Sequence, residues 1–238
     1  MGSRSRRNRI EVQDELMDVD EDEYTIEHKL MVQYLLHERM TKKQDLVTIH
    51  KDLFKNRADL NEVLTIITNK INPLKLDIKQ TKCDLTGETY FVLIHTTGES
   101  FFPRCCVFTK PQLEFLKQVL TGIVLSSEGA VGKIQAINTC KTLTKSEAGD
   151  ILEKFVKEKI LMEAAGHGLC LTPLAILEFE PFFRACFSDN LLVCDLCKQL
   201  VFIGKACDGC DQRFHLHCVD KWMKSKRSEC PSCAQQWP

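Results

Sequence analysis

Three Cys-x-x-Cys pairs crowd one short stretch: Cys194/Cys197, Cys207/Cys210 and Cys230/Cys233. A His-x-x-Cys step, His215/Cys218, stands between the second and third. Two donors separated by two residues can grip one metal ion from a single tight turn. A structural zinc takes four sulfur or nitrogen donors and leaves no open position. Seven cysteines and one histidine therefore supply two tetrahedral sites, in a segment too short to build a core of its own. His217 competes with His215. His215 is the expected ligand, because His-x-x-Cys repeats the geometry of the other pairs, whereas His217 adjoins Cys218 and would crowd it. Two wirings are open: neighbouring pairs share a metal, or pairs one and three share the first metal and pairs two and four the second. Thiolates leave both sites with net negative charge. Lys198, Lys205, Arg213 and Lys221 lie close enough in sequence to offset it, or are solvated surface.

Other cysteine chemistries fit poorly. Thirteen cysteines is an odd count for a disulfide framework, and no secretory signal is expected at the start of the chain. A thioredoxin-type motif would need one Cys-x-x-Cys in a βαβ setting. The remaining cysteines (Cys83, Cys105, Cys106, Cys140, Cys170 and Cys186) lack ligand spacing and read as small buried hydrophobes.

The order of four cysteines, one histidine and three cysteines resembles the RING, RING-variant and PHD families, all of which are cross-braced. That resemblance implies Cys194, Cys197, His215 and Cys218 on a first zinc, and Cys207, Cys210, Cys230 and Cys233 on a second. RING domains that recruit a ubiquitin-conjugating enzyme place an aliphatic residue before the second ligand, an aromatic on the helix after the middle ligands, and proline after the seventh. Leu196, Trp222 and Pro231 occupy those places. They read as a shallow docking groove, or, for Leu196 and Trp222, as packing between the two metals. A PHD finger carries its aromatic two residues before the seventh ligand, where this chain has Ser228. The chain also departs from the commoner RING order, with Cys210 where most RINGs have histidine.

The rest of the 238 residues must carry and orient this module. Net charge is −1 and no apolar run is long enough to span a membrane, so a soluble, intracellular chain with no membrane partner is expected. Residues 1–23 form a charged tail. Arg4, Arg6, Arg7 and Arg9 precede an acidic block from Glu11 to Glu23, a pattern that rarely folds alone. The basic run reads as a nuclear localisation patch or as chance, and Arg6 stands where myristoylation wants Ser or Thr.

From Tyr24 the periodicity turns helical, with Leu30, Met31, Tyr34 and Leu35 on one face. A second helix is predicted over Lys42–Lys51. A third carries Leu60, Val63, Leu64, Ile67 and Ile71 and closes at Asn72-Pro73. Strands at Leu76–Lys79 and Tyr90–His95 follow, joined by a loop with Gly87. Three helices and a hairpin give a winged helix over 24–98.

The order repeats over 109–187. Thr109 caps a helix burying Leu113, Leu116, Leu120 and Ile123. A short helix covers Val131–Cys140. Thr144 and Glu147 form a capping box for a helix burying Ala148, Ile151, Leu152, Phe155 and Val156. Leu161–Ala164 and Leu169–Thr172 pair across Ala165-Gly166-His167-Gly168. Thr172-Pro173 opens a last helix, which Pro181 should break or kink. The fold class is thus α+β, two tandem winged helices followed by a small two-metal module at 191–238.

Arg39 to Lys82 holds ten Lys/Arg against five Asp/Glu, which can attract phosphate or be a solvated surface. Residues 127–172 hold six of each and look more like a protein-binding unit.

Two winged helices followed by a RING-variant resemble one family: the first non-SMC element subunit of the structural-maintenance-of-chromosomes 5/6 complex. The match rests on Cys194-Asp-Leu-Cys197, Cys207-Asp-Gly-Cys210, Phe214-His215-Leu-His-Cys218, Cys230-Pro-Ser-Cys233, Trp237-Pro238, Glu153-Lys-Phe155-Val and Ala175-Ile-Leu-Glu178. It implies a nuclear, chromosome-associated subunit with two zinc ions, acting in DNA repair by homologous recombination. The implied partners are a MAGE-type winged-helix subunit (non-SMC element 3), a kleisin subunit (non-SMC element 4) and a ubiquitin-conjugating enzyme, with DNA a further candidate through the basic excess between Arg39 and Lys82. The implied activity is RING-type ubiquitin ligation promoted by the MAGE-type partner.

Overall fold

The structure is a computed structural model, and it describes residues 24–96, 107–225 and 228–237. The charged tail lies outside the described residues, as do Cys105, Cys106 and Pro238.

The first winged helix has helices α1 (Ile26–Glu38), α2 (Lys43–Phe54) and α3 (Leu60–Ile71) and strands β1 (Met40–Lys42), β2 (Leu76–Lys82) and β3 (Thr89–His95). The sheet order is β1-β3-β2, antiparallel throughout. The Asp59 side chain accepts from the Asn61 amide and starts α3. Lys55 in a left-handed conformation ends α2. Met31, Leu35, Leu46, Phe54, Val63, Ile67 and Ile71 form the core with Phe91 and Leu93 of β3. Leu30, expected inside, is instead exposed.

The apolar run in β3 has a direct explanation in the strand's period of two. Phe91 and Leu93 face the domain's own helices. Tyr90, Val92 and Ile94 face the other way, onto Leu174 of the second winged helix. The strand is buried on both faces.

The second winged helix repeats the plan with α4 (Lys110–Val124), β4 (Ala130–Val131), α5 (Lys133–Thr139), α6 (Lys145–Lys157), β5 (Leu161–Ala164), β6 (Gly168–Leu171) and α7 (Pro173–Phe187). Its sheet order is β4-β6-β5. Capping boxes form at Thr109/Gln112 and Thr144/Glu147. Gly168 sits at φ +93°, where an added Cβ would lie 2.6 Å from the Val131 carbonyl oxygen. No side chain fits that crossing.

Several expectations need correction. The short strands β1 and β4 carry too few residues to show alternation. The helix expected from Val131 starts only at Lys133, because Val131 pairs with Leu169. Leu113 and Val156 are only partly buried. Pro181 does not break α7, which continues through it to Phe187. Cys83 and Cys170 are buried as expected, but Cys140 is half-buried and Cys186 exposed.

The two winged helices are joined by polar as well as apolar contacts. Arg39 pairs with Glu178, whose side chain is 7% exposed. Lys159 Nζ donates to both the Glu38 carbonyl, at 2.6 Å, and the Glu38 carboxylate, at 2.8 Å. These bonds hold the end of α1 against the second domain.

Candidate metal centre

The C-terminal module contains β7 (Lys205–Ala206), β8 (Arg213–Phe214) and α8 (Leu216–Lys224). Its small core is Val201, Phe214, Val219 and Trp237, together with Cys194, Cys207 and Cys230.

The three Cys-x-x-Cys segments fold alike. In each, the first cysteine's carbonyl accepts from the amide four residues on: Lys198 to Cys194 at 2.7 Å, Asp211 to Cys207 at 3.1 Å, and Ala234 to Cys230 at 2.9 Å. The amide of that first cysteine donates back to the carbonyl five residues on, at Gln199, Gln212 and Gln235. The residue after the second cysteine is left-handed in every case, with φ of +62° at Lys198, +54° at Asp211 and +59° at Ala234. This turn aims both thiols of a pair to one side.

Two four-donor groups result. Cys194, Cys197, His215 and Cys218 form one, and Cys207, Cys210, Cys230 and Cys233 the other. Within each, the ligand atoms lie within 4.8 Å of one another. Pairs one and three meet, and pairs two and four meet, so the arrangement is cross-braced. The neighbouring-pair wiring is excluded.

The geometry suits a tetrahedral ion. With metal–sulfur bonds of about 2.3 Å, a tetrahedron has sulfur–sulfur edges of about 3.8 Å. Cys207 and Cys233 are 3.7 Å apart, and Cys210 and Cys230 are 3.8 Å apart. In the first group, Nδ1 of His215 lies 3.3 Å from Cys197 Sγ and 3.9 Å from Cys218 Sγ. His217 belongs to neither group. It stacks on His215 with ring centroids 5.0 Å apart.

The protonation energetics also call for a cation. The Gly209 amide, with its sulfur neighbours, draws the Cys207 thiol down to about 6. Cys210 goes the other way. Although the Gln212 amide favours its thiolate, loss of solvation and the three surrounding thiols push it up to about 12. Burial and then the neighbouring Cys194 and Cys197 push Cys218 up to about 12 as well. Four thiols at this spacing cannot all ionise against one another, and a divalent ion removes the conflict. Burial disfavours an imidazolium at His215, yet Asp84 and the adjacent thiols outweigh it and raise this group to about 10. His217 is pushed down to about 4, first by burial and then by the charge of His215.

Asp84 is the functional-site residue that sequence reasoning missed. It lies in the β2–β3 turn of the first winged helix and is 7% exposed. One oxygen accepts from the amides of Phe202 and Ile203 at 3.0 and 3.3 Å. The other is 3.3 Å from Nε2 of His215, which also faces the Leu200 carbonyl at 3.1 Å. More than a hundred residues separate Asp84 from these partners, and no local pattern announces such a contact. The second winged helix reaches the same loop. Arg213 donates to the carbonyls of Phe202 and Ser127 at 2.6 and 2.5 Å. Gly129, at φ +65°, packs where a Cβ would be 2.1 Å from the Phe202 carbonyl oxygen.

Of the proposed docking residues, Leu196 and Trp222 line one groove of about 860 Å³. Gln80, Thr81 and Lys82 of β2 line the same groove. Pro231 is half-buried and is not among the described residues lining that groove. Both Leu196 and Trp222 also pack against the module core, and Trp222 Nε1 donates to the Glu229 carbonyl at 2.9 Å. Lys198 pairs with Asp195 at 2.9 Å, and Lys205 lies over the Trp237 ring with Nζ 5.1 Å from its centroid.

Comparison with known proteins agrees with this architecture. Residues 194–233 match the RING-like domain family, and residues 28–140 match the family described as the Nse1 non-SMC component of the SMC5-6 complex. The chain is 30% identical over 185 residues to the mouse (Mus musculus) protein named non-structural maintenance of chromosomes element 1 homolog, covering 75% of this chain and 69% of that one. It is 26% identical over 223 residues to the Bos taurus protein of the same name, covering 89% and 84% respectively. A chain in a solved structure of an Nse1-Nse3-Nse4 complex has the same fold, with a TM-score of 0.79, 21% identity, and coverage of 90% of this chain and 97% of that one. Two winged helices, a cross-braced RING-like module and these relatives lead to one assignment: the chain belongs to the Nse1 family of SMC5-6 complex components.

Proposed function

We propose that this chain is a zinc-bound RING-type E3 ubiquitin ligase subunit of an SMC5/6-type complex, acting in DNA repair by homologous recombination at nuclear chromosomes. Its folding units are the winged helices at 24–98 and 109–187 and the metal module at 191–238. Cys194, Cys197, His215 and Cys218 hold the first zinc, and Cys207, Cys210, Cys230 and Cys233 the second. Zinc suits seven thiolates and one imidazole in tetrahedral groups, and here its work is structural.

The observation that carries the ligase reading is the groove containing Leu196 and Trp222. A RING supplies no nucleophile. It holds the conjugating enzyme at Leu196, Trp222 and Pro231 and orients the bound ubiquitin thioester for attack by a substrate lysine, which is catalysis by positioning. Every cysteine of the module serves a metal, so none carries ubiquitin. The other partners are a MAGE-type winged-helix subunit and a kleisin subunit, a reading supported by the structural neighbour's place in an Nse1-Nse3-Nse4 complex.

A second reading has its own observation. Leu196 and Trp222 pack the module core, and Trp222 is tied to the Glu229 carbonyl. The module would then be a non-catalytic scaffold that docks the MAGE-type subunit and, through the lysines of the first winged helix, DNA.

Ubiquitin discharge from a panel of charged conjugating enzymes separates the two, with and without the MAGE-type partner. The ligase reading expects discharge by wild type, lost in Leu196→Ala while both zincs are retained. No discharge by zinc-replete wild type in any condition would leave the scaffold.

A further inference from the structure

We infer that Asp84, in the first winged helix, is the positioning residue of the first metal centre. It supplies from another domain a carboxylate beside the outer nitrogen of a metal-bound histidine and anchors the loop whose Leu200 carbonyl bonds that nitrogen. The inference rests on the reading of His215 as a zinc ligand through Nδ1.

A histidine bound to metal through one ring nitrogen carries its proton on the other, and a partner for that N–H fixes the tautomer and the ring plane. Here the free nitrogen is Nε2, and its ring is 2% exposed. It faces the Leu200 carbonyl at 3.1 Å and the Asp84 carboxylate at 3.3 Å. The ring N–H bonds the Leu200 carbonyl, and the carboxylate lies beside it as the charged partner of the ring. Its other oxygen holds the amides of Phe202 and Ile203, two and three residues beyond Leu200. Asp84 therefore sets the position of both acceptors that face His215.

Only a carboxylate satisfies this arrangement. Donors approach both oxygens, and an amide would turn an NH₂ group towards one set of them. The turn carrying Asp84 is itself built closely. The Gly87 amide donates to the Cys83 carbonyl at 2.8 Å, and an added Cβ on Gly87 would lie 3.6 Å from the Cβ of His217. The tip of the winged-helix hairpin thus rests on the His215–His217 pair. Asp84 makes no bond to the four-cysteine site: its bonds end on His215 and on the loop just after Leu200. The consequence is asymmetric: the first winged helix controls retention of one zinc and not the other.

The test uses the full chain, wild type against Asp84→Asn, with Glu88→Gln on the exposed side of the same turn as control. Zinc loss to a chromophoric chelator is followed through both equivalents. Loss of an outer partner of a metal-bound histidine weakens binding by about 10- to 100-fold. One zinc equivalent should leave Asp84→Asn faster by that order, while the other equivalent and both in Glu88→Gln keep the wild-type rate. Proton NMR of the zinc-loaded wild type should also show a slowly exchanging, downfield imidazole N–H that moves upfield and exchanges faster in Asp84→Asn. This second readout stands on the wild-type signal even if the variant folds poorly. Unchanged release of both equivalents, equal acceleration of both, or no such proton in wild type would overturn the inference. Wild type holding fewer than two zincs would instead bring down the two-centre reading, and the inference with it.

Discussion

The second winged helix and the metal module lie side by side but are held together differently. The winged helix excludes Phe115, Leu116, Leu120, Phe155 and Phe183 from solvent completely. Its helices are capped and its strands paired, and Leu200 and Phe202 from the neighbouring loop complete its apolar core. The metal module buries Val201, Phe214, Val219 and Trp237, and much of what remains inside it is cysteine. Its longest regular element is the short helix α8 (Leu216–Lys224). So small an apolar cluster does not offset the entropy of ordering the chain, and metal binding must supply the difference. What looks like one continuous molecule is therefore stabilised by two kinds of interaction, met at the loop 200–204.

The largest expected effect breaks one side only. Cys210→Ser removes a ligand from the four-cysteine site, where each structural zinc is worth about 10–16 kcal/mol of folding energy in small zinc domains. Loss of near-native amide protection across 191–238, with the winged helices still protected, is the expected hydrogen-exchange result. Phe155→Ala is the reciprocal break. It empties a fully buried ring position between Phe108 and Phe115, at a cost of about 3–5 kcal/mol, and should lower the winged-helix midpoint in denaturant without changing zinc content.

Gly129→Ala acts at the seam. Its new Cβ would overlap the Phe202 carbonyl in a left-handed conformation, so a loss of about 2 kcal/mol or more is expected. The signature is a metal-module transition that lies further from the winged-helix transition in denaturant than it does in wild type. The smallest effect sharpens the account of the turns. Ala234 has a left-handed conformation that glycine adopts freely. Ala234→Gly should stabilise the module by about 0.5 kcal/mol, read as slower zinc release.

The two regions were also legible to different degrees. The metal ligands announce themselves through spacing, because chelation from a tight turn is local. The pairing of those turns is a tertiary fact and entered the reading only through family resemblance. The N-cap at Thr109 and the capping box at Thr144 were readable for the same local reason. The strand Met40–Lys42 was not, since a three-residue strand has no alternation to read. Pro181 does not break α7, because Phe179 and Phe183 anchor the helix on either side of it in the core. The continuous apolar run of β3 marked a strand but not its second partner, Leu174. Asp84 gave no signal at all, because a single turn aspartate next to a cysteine looks like any solvated loop residue.

The most direct test of the account is native mass spectrometry of the full chain, with total metal analysis alongside, for wild type, Cys197→Ser and Cys210→Ser. Two zinc ions bound to wild type, with the second weakened or lost in each variant, is the expected result. Two tightly held zincs in both variants, or a wild type that carries disulfides in place of metal, would contradict it.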